Sequence, residues 1–434
     1  MKTIPPIKPP TVQPAEPPTK PPYNSEEAEL LRKLAYEYSL IAGNPKNAEN
    51  IKLHKAVNDL KQVRPVVLFG PLPWNEMNID GELTLQCNDK FLQSVEWYFR
   101  TNIYRNRHMP ADTAIPTYLP VEKVVFTTGT GLDVNEELLI TEKESNIRSH
   151  RYFDILKTEE DLEKIKMPVI TYDHDATMQH LELISDIVGD IIPVKLTGRN
   201  FFAAYFWDDI ARFRGVETLL MDLYDRPEFM HKIIRRFTDA KISELKQFEE
   251  LGLFENDPYD LHCTAAHTSS LPGKDYKGGK VTRKDIWGRG MAQIFATVSK
   301  EMHEEFDTQY MIETIGQCGL SYYGCCEPLD RKIDIIAKIP NLRKISITPW
   351  ANVDVAAEAI GKKYVLASKP NPASVAEPVL DKGALRKEIG RILSACRRNS
   401  CSCDIVLKDL STCHHRPQNI FEWEQIVMDM VRNY

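Results

Sequence analysis

Residues 320–328 read Leu320-Ser321-Tyr322-Tyr323-Gly324-Cys325-Cys326-Glu327-Pro328. A short apolar run stops at a glycine and delivers two thiols and a carboxylate, as a buried strand does where it meets a functional loop. The pattern recurs outward in both directions. Eight such runs occur, at 66–69, 121–127, 192–196, 259–264, 320–323, 343–347, 364–367 and 404–408. Polar or Gly/Pro loops and amphipathic helical stretches lie between them. The clearest helix is 227–251, where Phe229, Ile233, Ile234, Phe237, Leu245 and Phe248 fall at three- and four-residue steps. Strand and helix in alternation imply parallel strands with helical crossovers, and eight units is the number at which such a sheet closes into a (β/α)8 barrel. An open doubly wound sheet alternates in the same way, but no Gly-x-Gly-x-x-Gly follows the first run.

The barrel spans 64–434 as one domain, since no Pro- or Ser-rich linker divides it. A helical extension precedes it at 24–63, with Asn24 or Ser25 as cap and Leu30, Leu31, Leu34 and Ala35 as one apolar stripe. Nine of the 28 prolines fall in residues 1–22, so 1–23 reads as an extended Pro-rich arm. The 434 residues are 42% hydrophobic and 27% charged, enough for a large core. Lys and Arg number 55 against 62 Asp and Glu, a net charge of −7 that argues against nucleic acid as a partner. Nine cysteines without framework spacing suit free thiols or metal ligands in a reducing cytoplasm. There is no signal-peptide pattern and no run of about 18 apolar residues that would cross a membrane.

In a barrel, chemistry sits where strands end and loops begin. Cys325, Cys326 and Glu327 can supply soft and hard ligands to Zn²⁺, and His262, on the run before, is an available imidazole. Adjacent strand residues point to opposite faces, so both sulfurs reach one ion only if the chain turns after Gly324. Lys369-Pro370-Asn371-Pro372 places a cation and an amide on a stiffened loop, suited to an anionic or carbonyl substrate. Trp74 and Trp350, each beside a proline at a strand end, are expected to line the cavity together with Glu76, Tyr323 and Asn371. The aromatic run 201–207, after the third strand, is a floor for a planar ligand or part of the core.

From about residue 60 to the end, the chain resembles the uroporphyrinogen decarboxylase superfamily, and within it the cobalamin-linked methyltransferases. Leu223-Tyr224-Asp225-Arg226-Pro227-Glu228-Phe229-Met230-His231 looks like the family's Pro-Glu-x-x-His helix start. The stretch from Gly324-Cys325 to Lys369-Pro370-Asn371-Pro372 is similar to the one from the zinc-cysteine strand to the Gly-Asn-x-x-Pro loop. The resemblance implies a (β/α)8 barrel and a zinc held by a His-x-Cys pair with a later cysteine. Cys325 falls on that Cys, Tyr323 stands at the His position, and Cys413 is the later cysteine; His262 or Glu327 would replace the imidazole. It further implies methyl transfer, such as O-demethylation of a methoxylated compound, to a corrinoid (cobalamin) free or on a partner protein, and a homodimer. The alternative is a metal-free decarboxylase or lyase in which Lys369 and His262 hold a carboxylate and protonate a carbanion. For uroporphyrinogen itself the chain lacks the family's early arginine-rich loop, having Pro73-Trp74-Asn75-Glu76-Met77-Asn78 there. A binding module for a tetrapyrrole, without chemistry, is the third reading.

Overall fold

The computed structural model describes residues 24–139, 149–259 and 261–434; the Pro-rich arm lies outside them. Nine strands carry the frame: β1 (Val66–Phe69), β2 (Leu119–Glu122), β3 (Val194–Thr197), β4 (Phe201–Ala204), β5 (Trp287–Gly290), β6 (Leu320–Tyr323), β7 (Leu342–Ile347), β8 (Val365–Ser368) and β9 (Ser402–Leu407). Seven form one all-parallel sheet in the order β1-β9-β8-β7-β6-β5-β4. Each lies beside its neighbour in sequence and the first lies beside the last, the order of a ring cut once. At the cut, β2 and β3 make a separate parallel pair. Only Gly198-Arg199-Asn200 separates β3 from β4, so one extended stretch pairs with β2 along its first part and with β5 along its last. The outer edge of β1 is met by Asp112, which exchanges hydrogen bonds with the Val67 backbone and takes a bidentate bond from Arg64.

Strands β5, β6, β8 and β9 are buried along their whole length, and in β6, β8 and β9 the sequence shows it as a mostly apolar run without strict alternation. Helices cover the face that bears Tyr323, Ile345, Leu366 and Cys403, and these residues share one large core with Ile333, Ile389 and Trp423. Ahead of the barrel-like unit, helices Ser25–Ala42 and Pro45–Asn58 are started by Asn24, in a capping box with Glu27, and by Asn44 before Pro45. The first packs Leu31, Leu34, Ala35 and Tyr38 on Phe99 and Ile184 in a core of its own. The long helix is Pro227–Glu250.

Two sequence expectations are corrected. The described residues of the run 259–264 form no strand: Leu261 and Thr264 make an isolated bridge round a turn in which Cys263 has φ 59°. The strand in that place is β5, whose Trp287-Gly288-Arg289-Gly290 reads as neither apolar nor β-prone. Its glycines are needed because a Cβ at Gly288 would sit 2.7 Å from the Ile315 carbonyl oxygen and one at Gly290 2.7 Å from Ile315 Cδ1. The aromatic run is likewise not a loop after a strand: Phe201–Ala204 is β4 itself, and Phe206–Arg214 is a helix.

The displaced segment folds onto the other face of the sheet. Leu261 and Ala266 pack with Trp287, Leu320, Tyr322 and Ala367, and Ala265 packs with Val66 and Val365. Lys344 and Asp404, both fully buried and 2.7 Å apart, hold it there. Lys344 Nζ also donates to Thr264 Oγ1 and the Ala265 carbonyl, and Thr264 donates to Asp404. Asn58 donates to the Ala265 and His267 carbonyls from the helical extension.

Candidate active site

Strand alternation decides which side chains meet. Register partners in a parallel sheet share a face, as do residues two apart along a strand. Ala203, Arg289, Tyr322 and Lys344 are successive partners across β4 to β7. Carried past the strand ends, the same alternation puts Lys369, Lys408 and Gly70 on this inner face. It puts Tyr323 on the opposite one, where its hydroxyl donates to Asp307 and lies 2.7 Å from His303 Nε2, fully buried. Tyr322, one residue earlier, is the tyrosine that faces inward.

At the end of β6 the chain turns at once, because Gly324 has φ 96° and leaves no room for a Cβ beside Leu329 Cδ1 at 2.4 Å. Both sulfurs therefore come to one side, with Cys325 Sγ and Cys326 Sγ 3.8 Å apart. Lys408 Nζ, at the end of β9, sits 3.0 Å from Cys325 Sγ, 3.3 Å from Cys326 Sγ and 2.5 Å from Asp409 Oδ2. The Cys326 thiol, its bond to Cys325 foremost, then His262, Arg289 and Lys408, hold the Cys325 thiol well below its usual range despite burial, while the same pairing pushes Cys326 up. Burial would depress Lys408, but Cys325, Cys326 and Asp409 raise it. Hydrogen bonds to Cys263 and Cys325 lift His262 to about 9. The centre gathers two sulfurs, the Lys408 ammonium and Asp409 at the carboxyl ends of parallel strands.

Other expected residues fall in different places. Glu327 is fully buried and its carboxylate accepts the Ala292 and Cys325 N–H groups, so it shapes the turn. Burial pushes its carboxyl up in spite of those bonds. Lys369 is 2% exposed and donates to the Cys263 carbonyl, 6.0 Å from the Tyr322 ring centroid. Asn371 accepts the Ala373 N–H through its side-chain oxygen at the start of a short helix and gives its own backbone N–H to Glu388. Trp74 lines a cavity of about 600 Å³ with Pro71, Trp97 and Leu410. Glu76 accepts from Thr412 Oγ1 and from the Cys413 and His415 N–H groups, tying down the last loop. Trp350 is 71% exposed.

The zinc set is met in part. Two sulfurs 3.8 Å apart have the separation of thiolates sharing a tetrahedral ion at about 2.3 Å from each. Lys408 stands in that notch, however, and Cys413 faces Glu76 with both its N–H and its thiol. Among the described residues no group of three or more His, Cys, Asp or Glu is placed to hold a metal ion. With Lys408 between the two sulfurs and Cys413 turned to Glu76, the three cysteines do not converge on one point.

Sequence reasoning passed over Arg289, Tyr322, Lys408 as a partner of the sulfurs, and Asp208; Tyr205 it had only within the aromatic run 201–207. Burial, then the neighbouring Glu327, raises Asp208 to about 7, and its Oδ2 has no hydrogen-bond partner among the described residues. For Tyr322 the signal was the parity of β6, read against the inward Lys344. For Arg289 there was none, because its strand was not recognised.

No family model matches the chain, and no curated protein matches it. Among solved structures, a methyltransferase from Methanosarcina mazei is similar with a TM-score of 0.49 and 9% identity, over 88% of this chain and 98% of that one.

Proposed function

We propose that the protein is a methyltransferase of the uroporphyrinogen decarboxylase superfamily, built on a (β/α)8 barrel, which moves a methyl group between a small methoxylated compound and a corrinoid. The observation that carries this reading is the Lys408 ammonium held between Cys325 and Cys326 at the strand ends. Cleaving a methyl–oxygen bond leaves negative charge on oxygen, and a preorganised cation there lowers the barrier. A corrinoid cobalt, free or on a partner protein, supplies the nucleophile that accepts the methyl group. The chain's own work is to orient the donor and exclude water. Lys408 neutralises the oxygen as the carbon–oxygen bond breaks, and Asp208, poised near pH 7, returns a proton to it. Of the residues that the sequence assigned to the substrate, Trp74 lines a cavity between the loops after β1 and β9, with Pro71 and Leu410.

The test is release of the free phenol from a methoxyarene, with and without a Co(I) corrinoid. Release that requires the corrinoid, and that Lys408→Met abolishes, supports the reading. CO2 release from a carboxylated substrate, with no demethylation under either condition, replaces it with the decarboxylase. One observation favours that second reading: His262, raised to about 9 by its bonds to Cys263 and Cys325, keeps a proton that a carbanion could take, and Lys369 is bonded to the neighbouring Cys263 carbonyl.

A further inference from the structure

We propose that Arg289 anchors an anionic group, a carboxylate, on a planar substrate, with Lys369 as the second cation and the Tyr322 and Tyr205 rings as walls. The inference rests on the site of the proposed methyl transfer and names the class of compound it takes.

Arg289 is fully buried in mid-strand on the inner face. Its Nη1 donates to the Gly290 carbonyl at 2.5 Å, its Nη2 reaches only the Met291 sulfur at 3.9 Å, and its Nε has no partner among the described residues. No carboxylate among the described residues forms an ion pair with it. The neighbouring charges, Cys325 and Glu327, act on it through space, and Glu327 spends its oxygens on backbone N–H groups. A buried guanidinium is costly unless its donors are used, and its planar fork matches a carboxylate in bidentate fashion. The other buried arginine among the described residues shows the usual solution: Arg214 is paired with Asp222 and lies near Asp154.

The surroundings of Arg289 are shaped for a ring. Its Cζ lies 4.2 Å from the Tyr322 centroid and 5.8 Å from that of Tyr205. Lys369 is almost as buried, spends one donor on the Cys263 carbonyl, and makes no salt bridge among the described residues. A cavity of about 550 Å³ is lined by Phe201, Ala203, Tyr205 and His262; Tyr205 is the ring shared with Arg289, and Ala203 is the register partner of Arg289. That volume takes a single substituted ring. With its carboxylate on Arg289, such a ring would lie within the residues that surround Cys325.

The experiment is equilibrium binding by titration calorimetry, without corrinoid, of para-methoxybenzoate and of anisole, its neutral counterpart. We expect saturable binding of the carboxylate in the micromolar-to-millimolar range, with anisole at least about tenfold weaker. Arg289→Lys should weaken the carboxylate at least about tenfold and leave anisole unchanged, with Lys369→Met acting in the same sense. Equal binding of the two probes, no saturable binding of the carboxylate, or unchanged affinity in Arg289→Lys overturns the proposal. Should Arg289→Lys fail to fold, the wild-type comparison and Lys369→Met decide. Carboxylate binding without demethylation would remove the methyl-transfer reading and leave the anchor standing. Equal kcat/KM for demethylation of both probes would do the reverse.

Discussion

The ammonium of Lys408 lies 3.0 Å from the sulfur of Cys325, across the sheet from β9 to the turn after β6. A thiol so placed loses its proton readily, and the thiolate is the reactive form. Iodoacetamide near neutral pH is therefore expected to modify Cys325 ahead of Cys326. In Lys408→Met the rate at Cys325 should fall at least about tenfold, with Lys408→Arg closer to wild type. Peptide mass spectrometry reads both rates. An unchanged rate in Lys408→Met would mean that His262 and Arg289 hold the thiolate without it.

Metal content separates an ammonium-based centre from a zinc-based one. Zinc on Cys325, Cys326 and Cys413 requires Lys408 to leave the notch and Cys413 to leave Glu76. Elemental analysis of protein purified with and without added zinc is expected to give well under one equivalent, and chelation to leave activity intact. One tightly held ion per chain, lost in Cys325→Ser, would restore the metal.

The Lys344–Asp404 pair is fully buried, and it clamps the segment that carries His262 and Cys263. Removing one partner strands the other charge in the interior, so Lys344→Met is expected to cost about 3–5 kcal/mol. Lys344→Met combined with Asp404→Leu should recover much of that. Urea unfolding midpoints measure both. A loss below about 1 kcal/mol in the single variant would show that the segment is held by packing alone.

Stability should fall as the solution is acidified, and His54 gives part of the window. It is buried with Nε2 2.8 Å from the Asp112 carbonyl oxygen, and burial, then the nearby His267, lowers its pKa from 6.5 to about 4. Between those values the unfolded chain binds a proton that the folded chain refuses, so stability is lost as pH drops from 6.5 toward 4. The loss from this group reaches about 3 kcal/mol. His54→Gln is expected to flatten the dependence of the unfolding free energy on pH in that interval. A slope equal to that of wild type would assign the acid sensitivity to other groups, with His303, lowered to about 3 by burial, the next to examine.

Much of the frame was legible because buried parallel strands write themselves as apolar runs. The runs at 66–69, 192–196, 320–323, 343–347, 364–367 and 404–408 lie on strands to within two residues. The run 121–127 is split between two strands, Leu119–Glu122 and Val124–Thr127, and the one miss among the eight has a physical cause. β5 needs glycine at two positions where neighbouring elements press close, and it carries a buried arginine, so its composition hides it. The apolar run that took its place, 259–264, is apolar because it lies against the inner face of the sheet, and burial alone does not distinguish a strand from a buried turn. In the site, Cys325, Cys326, His262 and Lys369 were legible as chemically able side chains at element ends. Their partners were not, since parity and register place Tyr322 and Arg289.

By itself the sequence determined an α/β chain of alternating strands and helices, the two helices ahead of it, and the thiol pair after Gly324, since each depends on local pattern. Tertiary structure alone decided which cation the sulfurs meet. Lys408 is 83 residues from Cys325, and only the pairing order of the sheet brings the two strand ends together. The same order decided that a guanidinium would be buried without a carboxylate: Arg289 faces Tyr322 and Tyr205 because their strands are neighbours in register. Contacts of this kind are made across strands and not along them, and so leave no spacing in the chain to be read.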